Sequence, residues 1–161
     1  MTTRTSLADL PCSVARTLDL IGDAWTVLIL RDVFYGRRRF SEFADSLPIA
    51  RNVLTHRLNA LVAAGILRKV AYQERPLRHE YRLTDAGRDL FGVVLALARW
   101  GDQHITPAGQ PAPVTFVHAV CGHDTHAEVV CAACGERLEP RDVRVRPNFG
   151  QDVPAVALAQ D

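Results

Sequence analysis

The stretch from Arg51 to Ala64 constrains the fold most, because it combines an amphipathic helical repeat with a glycine at its end. At about 100° per residue, apolar side chains fall on one face of this helix and polar side chains on the other. The apolar face comprises Leu54, Leu58, Leu61 and Val62. Gly65 follows at the position where glycine commonly ends a helix. Such a helix packs on neighbouring helices and leaves its other face open.

The open face carries groups that hydrogen-bond to base edges and phosphates in a DNA major groove. It holds two amides, a hydroxyl and an imidazole, flanked by two guanidinium groups: Asn52, Asn59, Thr55, His56, Arg51 and Arg57. No nucleophile is paired with a base on this face. The pattern therefore predicts binding to double-stranded DNA and no enzymatic activity.

The segment before this helix predicts the first half of a helix-turn-helix. Residues 39–47 form a short predicted helix that lies across the groove, so that Arg39 and Ser41 contact the DNA backbone. Pro48 ends that helix, and residues 47–50 form the turn into the polar helix.

The segment after this helix predicts a wing. Residues 66–72 and 80–83 are predicted strands, and the residues between them form a hairpin with a basic tip. Arg75 and Arg78 lie at that tip, where they can reach phosphates or a neighbouring minor groove. Proline at position 76 stiffens the hairpin.

Three further helices complete the predicted domain. The first runs from Cys12 to Ile21, and the second is capped by Asp23 and ends near Phe34. The third is one long helix that starts at Thr84 and fades near His104. The expected fold class is therefore mainly α with a small β wing, extended by a small C-terminal Cys/His β-ribbon.

The charge of the chain is distributed unevenly, although its formal net charge is only +1. Residues 37–82 contain ten Lys or Arg against four Asp or Glu, which leaves this stretch at +6. Such a local excess is typical of a segment that faces DNA. A solvated basic face without a partner would have the same composition, so charge alone does not decide between the two.

Several motifs resemble the HxlR-type regulators, relatives of the MarR winged-helix group. They span roughly residues 9–105 and include Cys12-Ser-Val-Ala-Arg16, Ile21-Gly-Asp-Ala-Trp25, Arg39-Phe-Ser-Glu-Phe43, Leu58-Asn-Ala-Leu61 and Tyr81-Arg-Leu-Thr-Asp-Ala-Gly87. The resemblance implies a homodimer that pairs through the first helix and the 84–104 helix. It also implies a pseudo-palindromic operator. The expected role is that of a transcriptional repressor or activator, and repression is the favoured direction. The small-molecule effector is unknown.

Cys12 lies where the resemblance places the sensing cysteine of some oxidant-responsive regulators. The favoured interpretation is nevertheless a buried, inert thiol, because buried cysteines behave as small apolar residues. Arg16 is the one nearby residue in the sequence that would lower the pKa of this thiol. A redox role for Cys12 stays open as the alternative.

The C-terminal segment repeats a short pattern of a metal ligand, two further residues, cysteine and glycine. The first copy runs from His118 to Cys121 and Gly122, and the second runs from Cys131 to Cys134 and Gly135. Zinc knuckles have two ligands at this spacing, with glycine allowing the turn and backbone donors facing the sulfur. One structural Zn²⁺ held by these four ligands is therefore expected.

Three features of this segment leave alternatives open. The first half has histidine where zinc ribbons commonly have cysteine, and the spacing between the halves is unusually short. His123 and His126 are spare candidates for the histidine ligand. A metal-free ribbon or a Cys131–Cys134 redox pair would have the same residues. Short ribbon strands are expected at residues 129–130 and at Val143.

The expected domains are 9–106 for DNA binding and dimerisation, 107–113 as a proline-rich linker, 114–145 as a zinc-ribbon-like segment, and 146–161 as a flexible tail. The N-terminus lacks the layout of a secretory signal, and no apolar run is long enough to span a bilayer, so we expect a cytoplasmic protein with no membrane partner. Two other functions remain: a CxxC-dependent redox or metal enzyme, and a protein-interaction module.

Overall fold

A computed structural model of the chain describes residues 6–146 and 156–157. The chain forms two compact units, Met1–Ala98 and Arg99–Asp161. The first unit is a winged helix-turn-helix, as predicted. None of the helices in the described part of the chain is long and apolar enough to cross a membrane.

Four helices begin the first unit: α1 (Ser13–Ile21), α2 (Ala24–Phe34), α3 (Phe40–Ser46) and α4 (Arg51–Ala63). They begin and end within one residue of the predicted positions. Asp23 caps α2 by accepting hydrogen bonds from the amides of Trp25 and Thr26, at 3.1 and 3.3 Å. Gly65 ends the turn after α4 with a φ of +69°, a conformation in which glycine has no steric cost.

The wing is longer than predicted. Its strands are β1 (Leu67–Glu74) and β2 (Leu77–Leu83), an antiparallel pair joined by the two-residue turn Arg75-Pro76. The pairing is irregular between Ala71 and Gln73. Charged side chains in the outer halves of both strands mask their alternation, which is why the sequence assigned those residues to a loop.

The predicted single helix at 84–104 is wrong, because it consists of two helices, α5 (Asp85–Asp89) and α6 (Phe91–His104). Thr84 caps α5 by accepting a hydrogen bond from the amide of Gly87. At the break, the Leu90 amide bonds to the carbonyl of Gly87, three residues back instead of four. The apolar periodicity of the sequence continues through this tightened turn, so it does not indicate the break between the two helices.

The core of the first unit lies between α2, α4 and the wing. Ile29, Phe43, Leu54 and Leu58 are completely excluded from solvent. Tyr81 of β2 packs its ring edge-on against Phe43, with ring centroids 6.3 Å apart. These contacts hold α4 by its apolar side alone, so its polar side faces outward.

The second unit has little regular structure among the residues described. Two short antiparallel strands, β3 (Phe116–Val117) and β4 (Asp124–Thr125), pair with each other. Strand β5 (Arg144–Val145) pairs with β6 (Val156–Ala157). The ribbon strands expected at 129–130 and Val143 are not formed, apart from an isolated bridge between Val130 and Arg137. Hydrogen bonds close the turns in this stretch instead of extending a ladder.

Two of the predicted segments, the linker and the tail, can be compared with these units. The second unit starts inside α6, whereas the predicted linker is 107–113, which contains neither helix nor strand. Most of the predicted tail, 146–161, lies outside the described residues. The exceptions are Arg146 itself and the two residues of β6.

Candidate nucleic-acid interface

Helix α4 presents an open polar face. Leu54, Leu58 and Leu61 bury its apolar side, each with at most 2% of its surface exposed. Five of the six polar residues predicted for the opposite face are exposed: Arg51, Asn52, Thr55, His56 and Asn59. The structure thus brings these five side chains together on one accessible surface, about the width of a single helix.

Local hydrogen bonds orient the first turn of this face. The side-chain oxygen of Asn52 accepts from the Val53 amide at 2.9 Å, and the Thr55 hydroxyl donates to the Arg51 carbonyl at 2.8 Å. Because the Asn52 oxygen is engaged, its amide NH₂ is the group offered to a ligand. The Arg51 guanidinium lies 5.9 Å from the centroid of the Phe40 ring on α3, which ties the two helices of the motif together.

The structure places Arg57, the sixth predicted residue, away from this face. Its guanidinium lies 2.9 Å from the Asp23 carboxylate, and 28% of its side chain is exposed. Arg57 lies at the boundary between the polar and apolar sides of α4, where a long side chain can turn either way. The capping carboxylate of α2 draws it inward, so its role is to join α4 to α2.

The wing contributes a second set of cations. Arg75 and Arg78 are exposed at its outer end, as predicted. Lys69 of β1, which the sequence did not single out, donates to the Asn59 side-chain oxygen at 2.9 Å. That bond joins the wing to the polar face of α4 and leaves the Asn59 NH₂ as the donor available to a ligand.

A basic, aromatic cavity of about 330 Å³ lies between the start of α3 and the wing. The Arg39 guanidinium stacks over the Tyr72 ring, 4.4 Å from its centroid, and Ser41 lines the same cavity. Sequence reasoning did not predict five of the lining residues as part of a site: Phe40, Lys69, Tyr72, His79 and Tyr81. A correct strand boundary would have added only His79, because Lys69, Tyr72 and Tyr81 already lay in predicted strands; their position beside Arg39 depends on how the wing packs against α3.

Glu42 holds the first turn of α3 in place beside this cavity. Its carboxylate accepts hydrogen bonds from the amides of Arg38 and Arg39, at 2.6 and 3.0 Å. These two backbone donors, helped by the charges of Arg39 and Arg37, lower the pKa of Glu42 below its usual value. The ionised carboxylate therefore fixes the backbone of Arg39, whose side chain faces the groove between α3 and the wing.

The cysteine- and histidine-rich segment arranges its predicted ligands as two separate pairs. The His118 Nδ1 lies 3.2 Å from the Cys121 sulfur. The Cys131 sulfur accepts hydrogen bonds from the backbone of Cys134 and Ala133 and from the Cys134 thiol, which lowers the pKa of Cys131. No group of three or more His, Cys, Asp or Glu able to hold a metal is assembled within residues 6–146. His126 is directed elsewhere, to the Glu128 carboxylate at 3.2 Å.

The expectation that Cys12 is buried is wrong, because this residue is exposed and immediately precedes α1. Helix α1 buries only Ala15 and Ile21, so the residue before its first turn has no core to enter. The thiol of Cys12 is consequently open to solvent in the single chain.

Comparisons with known proteins agree with this geometry. The family described as HxlR-like helix-turn-helix matches residues 20–108. An uncharacterized HTH-type transcriptional regulator of Mycobacterium bovis is 44% identical over 138 residues, covering 86% of this chain and 87% of that protein. The regulator YtcD of Bacillus subtilis, also an uncharacterized HTH-type regulator, is 37% identical over 94 residues, which are 58% of this chain and 75% of that one.

Solved structures extend the similarity to most of the chain. PA1607, described only as a candidate transcription factor, has a TM-score of 0.80 and 39% identity, covering 89% of this chain and 100% of its own. The reduced form of HypR, described as a redox regulator, has a TM-score of 0.54 and 36% identity, covering 57% of this chain and 92% of its own. The similarity to PA1607 thus extends well beyond the winged domain.

Proposed function

The chain belongs to the HxlR-like helix-turn-helix family, and on that premise we propose that this transcriptional regulator is a repressor that binds a specific duplex sequence as a homodimer and catalyses no reaction. The observation that carries the proposal is the exposed polar face of α4. Lys69 of the wing joins this face to the basic, aromatic cavity between α3 and the wing. Asn52, His56 and Asn59 supply the groups that read bases, and the cations around them neutralise phosphates.

The division of labour between these groups follows from their positions. The NH₂ groups of Asn52 and Asn59 can each pair with acceptors on base edges, since the oxygen of each is already engaged within the protein. Arg39, Arg75 and Arg78 lie on the flanking α3 and wing, where a guanidinium meets phosphate oxygens. Specificity is therefore assigned to α4, and most of the affinity is assigned to its neighbours.

Selection of bound sequences from a random duplex pool tests this function with the full-length protein. We expect a pseudo-palindromic sequence to be enriched, with an affinity that falls steeply as salt rises. Equal affinity for the selected duplex and for scrambled duplexes of the same length would contradict a sequence-specific regulator.

The homodimer rests on an apolar groove of about 570 Å³ between α1 and α6. Val14 of α1 and Val93 and Leu97 of α6 line it, with 66%, 43% and 52% of their surfaces exposed. An exposed apolar surface of this kind marks a site of association. A second copy of the chain is the occupant we propose, because two copies would supply the paired recognition helices that a pseudo-palindrome requires.

Replacing Leu97 by Glu tests the dimer. A carboxylate in the groove must be desolvated on association, so we expect the variant to sediment as a monomer and to lose operator binding. Leu20→Glu is the matched control, since Leu20 on α1 is 57% exposed but does not line the groove. A wild-type protein that sediments as a monomer at concentrations that saturate the operator would refute the proposal.

Repression is assigned because a dimer seated on an operator within a promoter blocks polymerase by occupying the same DNA. The direction of control is measured by fusing a promoter that contains the selected sequence to a reporter gene. Expression should rise when the regulator is removed and fall again when it is restored. A fall on removal would make the protein an activator with the same DNA-binding geometry.

A redox response through Cys12 is a second candidate function, favoured by the exposed thiol and by the similarity to HypR. Mild oxidation with a disulfide-forming reagent should release the wild-type protein from its operator and leave Cys12→Ser bound. Equal release of both proteins would show that another cysteine is responsible. Release of neither protein would show that DNA binding does not respond to oxidation.

A further inference from the structure

We propose that the second unit contains a structural zinc site formed by His118, Cys121, Cys131 and Cys134, in which one Zn²⁺ joins two preformed turns. The observation behind this site is that the two turns repeat one hydrogen-bonding pattern. This site belongs to the second unit, and the argument for it does not depend on the proposed function.

The repeat is visible in the backbone. In the first turn, the His118 amide donates to the His123 carbonyl at 2.9 Å, and the Gly122 amide donates to the His118 carbonyl at 2.8 Å. The second turn has the same two bonds at the same offsets: Cys131 to Glu136 at 2.7 Å, and Gly135 to Cys131 at 2.8 Å.

The glycines that close the two turns also share one conformation. Gly122 has a φ of +72° and Gly135 a φ of +78°, both in the left-handed region that other residues rarely occupy. The two stretches thus adopt the same turn, and both contain a candidate ligand followed by alanine, a cysteine three residues after that ligand, and this glycine.

Each turn directs its first and fourth residues toward the same point. In the first, the His118 ring nitrogen and the Cys121 sulfur are 3.2 Å apart. In the second, the Cys131 sulfur interacts with the Cys134 thiol and with backbone N–H groups of its own turn. A sulfur that accepts N–H donors while facing a second ligand is the arrangement of a metal knuckle.

The surroundings of the turns explain why a metal is needed. Among residues 107–146 no side chain is buried, and large apolar residues such as Val120 and Val129 are 88% and 63% exposed. A segment this small without a core folds stably when a metal, a disulfide or a partner replaces the core. Here the two ligand pairs, separated by the nine residues 122–130, provide the groups that would bind a metal.

The donor set selects zinc. Three thiolates and one imidazole form a soft tetrahedral site, which suits Zn²⁺ far better than Mg²⁺ or Ca²⁺. Because the structure holds the ligands as two pairs, binding must draw the turns together, and four protein ligands then leave no position open for water or substrate. The ion would therefore be structural.

Cobalt substitution tests the site on the full-length, reduced protein. Co²⁺ added to the metal-free chain should produce a strong thiolate charge-transfer band and the intense visible bands of a tetrahedral site, saturating at about one ion per chain. Zn²⁺ should displace it. The variants His118→Ala, Cys121→Ser, Cys131→Ser and Cys134→Ser should each weaken the visible bands or lose them.

Matched controls separate this site from its alternatives. Cys12→Ser, His123→Ala and His126→Ala should keep the full cobalt spectrum, because Cys12 and His126 lie outside the repeated turns and His123 contributes only its backbone carbonyl to the first one. A spectrum without tetrahedral bands, or one unaffected by both His118→Ala and Cys121→Ser, would overturn the proposal. If Cys131 and Cys134 instead oxidise to a disulfide at the same rate with and without Zn²⁺, the pair is a redox site and the zinc assignment is wrong.

Discussion

The Asp23 carboxylate serves two helices at once: one oxygen accepts the Trp25 and Thr26 amides at the start of α2, and the other accepts the Arg57 guanidinium of α4 at 2.9 Å. The cap of α2 and the side chain that ties down α4, the proposed recognition helix, thus share one carboxylate. Any shift of α4 along its axis stretches this bond, so Asp23 fixes the recognition helix relative to the core.

The first prediction concerns Arg57. Replacing it by Ala removes a partly buried ion pair and leaves the Asp23 carboxylate with fewer partners, so we expect the free energy of unfolding to fall by about 1–2 kcal/mol. Base preference should stay unchanged, because the side chain faces α2. Chemical denaturation measures the first effect, and competition between operator variants measures the second. A relaxed base preference with unchanged stability would place Arg57 in the groove after all.

The second prediction separates reading of bases from binding of phosphates. Asn52→Ala should cost about 1–3 kcal/mol at one base pair per half-site and leave affinity for non-operator DNA unchanged. Arg78→Ala should weaken binding to every duplex and flatten the dependence of log Kd on log salt by about one unit per chain. Fluorescence anisotropy at several salt concentrations distinguishes the two variants. If both have the same phenotype, the division between α4 and the wing is wrong.

The third prediction follows from the lowered pKa of Glu42. A carboxyl whose folded pKa lies below its unfolded value stabilises the fold above the unfolded pKa, and this stabilisation is lost as pH falls through the folded pKa. Glu42→Ala should therefore destabilise the protein at neutral pH, by about 1 kcal/mol as for other helix caps. The difference from wild type should shrink on acidification. A difference that is constant from neutral pH to acid would show that the charge of Glu42 does not contribute.

The fourth prediction compares two helical glycines. A Cβ added at Gly87 of α5 would lie 2.2 Å from the Ile66 carbonyl oxygen, whereas one at Gly92 of α6 would meet nothing within 4 Å. Gly87→Ala should cost about 1–3 kcal/mol, because backbone must move to relieve the contact. Gly92→Ala should be neutral or stabilising by up to about 1 kcal/mol. Thermal denaturation of both variants tests this, and equal melting temperatures would contradict it.

Much of the winged domain could be predicted because its signals are local. The 3.6-residue repeat of α4 identified the buried leucines, and the caps at Asp23 and Thr84 are formed as expected. The ion pair between Arg57 and Asp23 could not be predicted in this way, because its partners lie 34 residues apart in the chain. The bond between Lys69 and Asn59 was missed for a related reason: it depends on how the wing packs against α4.

The Cys/His segment shows another limit of sequence reasoning. Spacing identified both turns, and glycine follows the second ligand of each because the turn requires positive φ. Spacing says nothing about how two turns approach each other, which depends on the ion or on packing. Because no side chain of residues 107–146 is buried, packing does not determine how the two turns approach each other.

The break at Leu90 divides the end of the winged domain into two parts under different constraints. Helix α5 packs closely at Gly87, where an added Cβ would meet the Ile66 carbonyl and the Leu83 side chain. Helix α6 has no fully buried residue, and its core contacts come from Val94 and from Phe91, whose ring centroid lies 5.1 Å from that of Phe34. In the proposed homodimer, the exposed apolar residues Val93 and Leu97 would therefore determine which chains pair, separately from the residues of α4 that face DNA. Choice of partner chain and choice of DNA sequence would then be encoded in different helices of one domain.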